Sequence, residues 1–262
     1  MGTTIDNHDT ETVSGLGDLA ALSSVWKSDV IAKKQEVVVD KQLQNYYDGF
    51  LDSVFGSLIE TLKGLTLEDF TLLDAACASG YYAEILGSEF GGKFKYSGSD
   101  YSAAMVEMAK VKFPEYQFYE EDLTNLSFED SQFETVLVSG VLEHIPSFER
   151  AISESCRVAS KYVILHRCLV SGMAENIYST GFLYNIKTPR IYYAQKVLED
   201  EFGKHGYRLV KQIRSHAYQG MVNRIKLWIK KHILKRRGGV EYTYTFENLL
   251  SSPLGTPVST NY

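Results

Sequence analysis

Thr71-Leu72-Leu73-Asp74-Ala75-Ala76-Cys77-Ala78-Ser79-Gly80, followed after one helix-like stretch by Tyr96-Ser97-Gly98-Ser99-Asp100, decides the fold of this 262-residue chain. An apolar run closes on an acid, a turn of small residues follows, and a second strand ends in Asp100. Strand, tight turn, helix and strand in that order form a βαβ unit. Such a unit sets a helix N-terminus and a turn of small residues beside the acid of the second strand. A carboxylate there can accept hydrogen bonds from two ribose hydroxyls.

The turn departs from the usual glycine-rich form. Two of three expected glycines are Ala76 and Ala78, and only Gly80 remains. Alanine adds a methyl and resists positive φ, so the loop suits a ligand without a diphosphate better than a dinucleotide.

The same rhythm continues along the chain. Residues 81–90, 103–111, 148–158 and 194–205 have helical spacing, and 70–74, 94–99, 116–119, 133–139, 162–166, 208–213 and 240–246 read as strands. Alternation of this kind predicts an α/β fold, a mostly parallel sheet wound on both faces, with ligands at the strands' C-terminal ends. Residues 1–18 are polar and without periodicity and are expected to be a flexible tail. Residues 19–65 are expected to form a helical cap, with Trp26, Ile31, Leu43, Tyr46, Tyr47, Phe55, Leu58 and Leu62 recurring at spacings of three and four. Residues 66–262 then make the main domain. Within it, 167–193 shows little periodicity, contains Gly172, Gly181 and Pro189, and reads as a long loop of the kind that is usually functional or mobile.

A hydrophobic content of 44% supports one large core rather than two domains. Cys77, Cys156 and Cys168 are odd in number and lack metal-ligand spacing, which predicts a reducing cytoplasmic setting and no metal site. No signal peptide and no membrane-spanning run is apparent. The net charge of −6 hides an asymmetry, because Arg224, Lys226, Lys230, Lys231, Lys235, Arg236 and Arg237 crowd residues 221–237 without an acid. A local basic insertion on an acidic body argues against general nucleic-acid binding. Its partners are open: its own domain, a phosphorylated or carrier-bound acceptor, or an anionic membrane surface, since Val222, Ile225, Trp228, Ile229 and Ile233 share one side. Oligomeric state is not legible.

The chain resembles the class I S-adenosylmethionine-dependent methyltransferases, whose Asp-x-Gly-x-Gly-x-Gly pattern stands here as Asp74-Ala75-Ala76-Cys77-Ala78-Ser79-Gly80. Asp100, then Glu121-Asp122-Leu123 after the third strand, then Val141-Leu142-Glu143-His144-Ile145 after the fourth follow in the family's order. The resemblance covers about residues 65–170 and implies a Rossmann-like doubly wound seven-stranded sheet with the last strand antiparallel, plus N-terminal helices. It implies S-adenosylmethionine as cofactor, with Asp74, Ala76, Gly80, Asp100, Tyr101, Asp122, Leu123 and Ser139 as its contacts: Asp100 on ribose, Asp122 on adenine. A methyltransferase acting on a small-molecule acceptor, more readily oxygen than nitrogen, is the function it implies, with residues 167–193 helping to form the acceptor pocket and Met173, Tyr178, Phe182 and Tyr184 as candidate substrate contacts; an N-methyltransferase or a non-catalytic binding module of the same fold is the alternative.

Methyl transfer is a displacement governed by positioning, and only an alcohol acceptor gains much from a base. His144 is the candidate base, with loop fixing as the structural alternative, and His166 is second. Cys77 lacks a partner base, which argues against nucleophilic catalysis. Tyr192 and Lys196 match the Tyr-x-x-x-Lys spacing of a dehydrogenase, a weak signal without the phosphate-approach glycines. Tyr46 and Tyr47 are either site-lining or ordinary core aromatics.

Overall fold

A computed structural model describes residues 16–49, 53–65, 69–214 and 240–251. The basic segment 221–237 and residues 1–15 of the expected tail lie outside the described residues.

Central strands are apolar on both faces, and helices cover both. Strand β1 (Phe70–Ala75), β2 (Phe94–Asp100), β3 (Gln117–Glu120), β4 (Phe133–Ser139) and β5 (Ala159–Val170) pair in parallel in the order β3-β2-β1-β4-β5. Strand β8 (Tyr207–Arg214) forms the far edge, and β9 (Val240–Asn248) inserts between β5 and β8, antiparallel to both. The sheet therefore has seven strands with the last one antiparallel, as the sequence implied. That strand is internal, not an edge.

Successive residues alternate between two cores. Leu73, Val136, Val163 and Leu165 join one cluster, whereas Leu72, Leu137 and Ile164 join the other. This two-residue period is what a strand buried on both faces requires. Helix α6 (Phe148–Val158) covers the first core with Ala151, Ile152, Ser155 and Cys156, spaced for one helical face. Helix α4 (Tyr81–Phe90) and α5 (Ala103–Lys112) cover the second with Tyr82, Ile85, Leu86, Met105 and Ala109. Helix α7 (Gln195–Lys204) packs beside β8. The N-terminal cap comprises α1 (Leu16–Ser23), a 3-10 turn at Ser24–Lys27, α2 (Asp29–Tyr47) and α3 (Ser53–Lys63).

The expectation of a loop over 167–193 is corrected. Strand β5 runs on to Val170, and β6 (Ile177–Leu183) and β7 (Ile186–Tyr192) form an antiparallel hairpin. Leu183 pairs with Ile186, and the two residues between them, Tyr184 and Asn185, have φ of 55° and 62°. A two-residue turn with both φ positive matches strand twist, but it normally carries Asn-Gly, so Tyr-Asn gave no signal. Pro189 is tolerated because this ribbon has only edge strands. The hairpin packs against α1 and the short turn Leu142–His144, which places it over the C-terminal ends of β4 and β5.

Candidate functional site

The loop after β1 is held in the shape glycine would take, although two glycines are missing. Ala76 and Ala78 have φ of 72° and 50°, and Gly80 has 77°. The resistance of alanine to positive φ is overcome at both positions. The fold imposes the conformation: the Ala76 and Cys77 N–H groups donate to the Ser99 carbonyl at 2.7 and 2.8 Å, and the Ala78 N–H donates to Asp100 Oδ2 at 2.9 Å. Gly80 cannot vary in the same way, since a Cβ there would lie 2.9 Å from the Phe118 ring. Gly98 is likewise closed in, because a Cβ at that residue would meet Phe118 at 2.6 Å and Cys77 Sγ at 2.8 Å.

Asp74 is fully buried at the end of β1. The Tyr96 hydroxyl donates to its Oδ2 at 2.6 Å, while Oδ1 has no hydrogen-bond partner. Burial pushes its carboxyl up to about 7, the Tyr96 hydrogen bond opposing and the Asp100 charge adding to the rise. A buried acceptor oxygen without a donor is costly, and it fits a site that awaits a ligand donor such as an amino group. Asp100 accepts from the N–H groups of Ala78 and Ser102, both at 2.9 Å, so this acid also organises the loop. Burial raises its pKa against those hydrogen bonds. Each carboxylate oxygen retains a lone pair for a hydroxyl.

Tyr101 follows at the end of β2, where its hydroxyl donates to the Ser23 carbonyl at 3.0 Å and the Lys27 ammonium lies 4.6 Å from its ring centre. Asp122 is exposed, accepts from the Thr124 N–H and hydroxyl at 2.8 Å, and is close enough to act on Tyr101 electrostatically; Leu123 beside it is buried. Asp74, Ala76, Gly80, Asp100, Tyr101, Asp122 and Leu123 thus gather at the ends of β1, β2 and β3. Ser139 closes β4 and shares a 2.8 Å hydrogen bond with Tyr82, at the start of α4.

The other half of the site lies beyond β4. His144 is buried; its Nδ1 lies 2.7 Å from the Pro189 carbonyl, to which it can only donate, so the neutral ring keeps its lone pair on Nε2. Nε2 lies 4.0 Å from Glu143 Oε1, and Trp26 packs on the ring at 4.8 Å. Burial holds the imidazole down at about 4, the Pro189 bond opposing and Arg190 and Arg167 reinforcing the shift. His166 instead bonds the Thr243 hydroxyl at 2.8 Å inside the sheet.

Sequence reading named Tyr184 but missed Arg167 and Arg190 and took Trp26 only as a helix-face residue; all four join this half through the 3-10 turn, the end of β5 and the hairpin. It also left Tyr46 and Tyr47 open, and both pair with acids of α4, Tyr46 with Glu89 and Tyr47 with Glu84. Tyr46 is half-buried and Tyr47 exposed, so both tie α2 to α4 and neither is a core aromatic. Tyr192 ends β7 and Lys196 lies in α7, pairing with Asp200, so the two do not share a helix face. The cysteines are free and buried, and burial raises the Cys77 thiol, which leaves it a packing group. Among the described residues no cluster of metal-ligating side chains occurs, and no helix there is long and apolar enough to cross a membrane.

Residues 73–165 match the model of a family described as a methyltransferase domain. Over 89 residues the chain is 30% identical to the demethylmenaquinone methyltransferase of Staphylococcus epidermidis, covering 33% of this chain and 37% of that protein. Over 103 residues it is 31% identical to the ubiquinone/menaquinone biosynthesis C-methyltransferase of Campylobacter jejuni, covering 37% and 43%. The chain thus matches less than half the length of these relatives. An S-adenosylmethionine-dependent methyltransferase from Clostridium acetobutylicum superposes with a TM-score of 0.57 at 13% identity, over 82% of this chain and 98% of that one. That likeness establishes the fold.

Proposed function

We propose that this chain, whose residues 73–165 form a methyltransferase domain, transfers a methyl group from S-adenosylmethionine to an oxygen nucleophile on a small molecule. The observation that carries the reading is the loop after β1, where two alanines are held at positive φ beside the unpartnered Asp74 Oδ1 and the Asp100 carboxylate. The cofactor supplies an electrophilic methyl. The chain's own residues position both reactants and exclude water.

In this reading Asp100 accepts from the ribose hydroxyls, Asp74 Oδ1 from the amino group, and Asp122 with Leu123 borders the adenine. Tyr101, Ala76 and Gly80 shape the cofactor's bed, and Ser139 stands between cofactor and acceptor. His144 offers its Nε2 lone pair to the acceptor hydroxyl. Because its pKa is held near 4, it stays neutral and its lone pair can take the proton of an alcohol hydroxyl, which becomes acidic as the methyl is transferred. Trp26 and the hairpin β6–β7 close over that end.

A second reading takes a ring carbon as nucleophile, favoured by the name of the Campylobacter relative, a C-methyltransferase of quinone biosynthesis. The deciding experiment incubates the full chain with S-adenosylmethionine and a panel of phenols, alcohols, amines and quinols, and follows the demethylated nucleotide by mass spectrometry. Alcohol-dependent release that falls about 100-fold or more in His144→Ala supports the proposal. Turnover only with amines, or turnover unchanged by His144→Ala, contradicts an oxygen acceptor activated by His144; methylation at carbon selects the second reading.

A further inference from the structure

Two arginines converge on the acceptor half of the site, from different elements and without adequate partners. Arg167 has φ of 57° and lies where the β5–β9 register shifts between Leu165 and Cys168. A bulge with a non-glycine residue in the left-handed region is strained, and bulges of this kind re-aim a side chain next to a site. Here the guanidinium is aimed across Gly140, whose Cβ position would lie 3.5 Å from Nη1, and it acts on Tyr81, Tyr82 and Glu143. Its contact with Glu241 is long, 3.9 Å from Nε, and Nε is buried with no hydrogen-bond acceptor.

Arg190 arrives from β7. Its guanidinium packs on Gly181, with Cζ and Nε each 3.2 Å from that residue's Cβ position, and its Nε is also buried without an acceptor. Both cations act on Glu143 and on His144. Glu143 does not answer them, since its Oε2 is buried without a partner and burial favours its neutral form. The two Nε atoms are thus buried donors without acceptors, beside a carboxyl whose burial disfavours its charged form, an arrangement that is unfavourable until an anion supplies oxygens.

We propose that Arg167 and Arg190 form an anion-binding pair that holds a carboxylate or phosphate group of the methyl acceptor. The proposal rests on the reading of this half of the site as the acceptor side. Planar guanidinium forks take both anions bidentately, which also fixes orientation. An acceptor held this way carries its anionic group apart from the reacting atom, and a neutral quinol would leave the pair unmatched. Tyr184, in the turn of the hairpin, lies close enough to Tyr81 and Arg167 to interact with them electrostatically.

The test titrates the full chain with benzoate, with its neutral counterpart benzamide and with inorganic phosphate, in the presence and absence of S-adenosylhomocysteine. Saturable binding of benzoate or phosphate, none of benzamide, and affinity about tenfold or more weaker in Arg167→Met and in Arg190→Gln is the expected result. Arg167→Lys should recover part of the loss, since it keeps charge but not the fork. Circular dichroism checks each variant; if Arg167→Met does not fold, Arg190→Gln on the two-stranded ribbon decides alone. Absence of saturable anion binding by the wild-type protein, or unchanged binding in the folded variants, overturns the proposal. Anion binding without any nucleotide binding would keep the pair and remove the methyltransferase reading; nucleotide binding without anion binding would do the reverse.

Discussion

Replacing Ala76 by glycine should stabilise the protein, although most glycine substitutions destabilise. Ala76 sits at φ 72° and is only half-buried, whereas Ala78 sits at φ 50° and is buried. A non-glycine residue in the left-handed region costs about 1–2 kcal/mol. Glycine removes that strain but adds about 0.5–1 kcal/mol of unfolded-state entropy. For Ala76→Gly the balance is a gain of about 0.5–1 kcal/mol, or roughly 1–4 °C in melting temperature for a chain of this size. For Ala78→Gly a lost methyl contact of about 0.8 kcal/mol cancels the gain, so the variant should be near neutral. Ala75→Gly, in the fully buried end of β1 without positive φ, loses both methyl and entropy and should fall by about 1.5 kcal/mol. Urea unfolding of the three variants gives the ordering directly. Equal destabilisation at all three sites would refute the left-handed loop on which the site depends.

Two further outcomes follow from the buried acids and the histidine. Asp74, raised from 3.8 to about 7 mainly by burial, binds its proton more tightly folded than unfolded, so its contribution is full below pH 4 and is lost as pH rises to about 7. Asp74→Asn should remove on the order of a few kcal/mol of that fall, with some slope remaining from Asp100, which shifts in the same direction; identical pH slopes in urea unfolding would contradict it. His144, lowered from 6.5 to about 4, stays neutral through the physiological range. Turnover should therefore show no ascending limb near pH 6.5 from this residue, and a limb there that disappears in His144→Gln would disprove the assignment.

The sheet was legible because its strands are buried on both faces and its helices are amphipathic, so apolar runs and 3.6-residue spacing announced α4 and α6 with the boundaries found. Asp74 and Asp100 were legible because an acid closing a strand breaks that pattern. The half beyond β4 was legible only in part: His144 and the aromatics of 167–193 were named, but that segment was expected to be a loop. Its hairpin turns on Tyr184 and Asn185 rather than on glycine, and one of its strands contains Pro189, so no strand rule applied. Arg167 and Arg190 carry no local sequence signal, and only the β5 bulge and the hairpin bring each of them to this half. Trp26 was read as part of a helix face, yet a 3-10 turn delivers it to His144. Each of these depends on tertiary placement that local periodicity does not encode.

The central claim is that the loop after β1 and Asp100 hold a sulfonium nucleoside rather than a dinucleotide. Isothermal titration of the full chain with S-adenosylmethionine, S-adenosylhomocysteine and NADH tests it most directly. Saturable binding of both sulfur nucleotides, none of NADH, and a loss of about 1–3 kcal/mol in Asp100→Ala is the predicted result. Saturable heat with NADH and none with either sulfur nucleotide would contradict it.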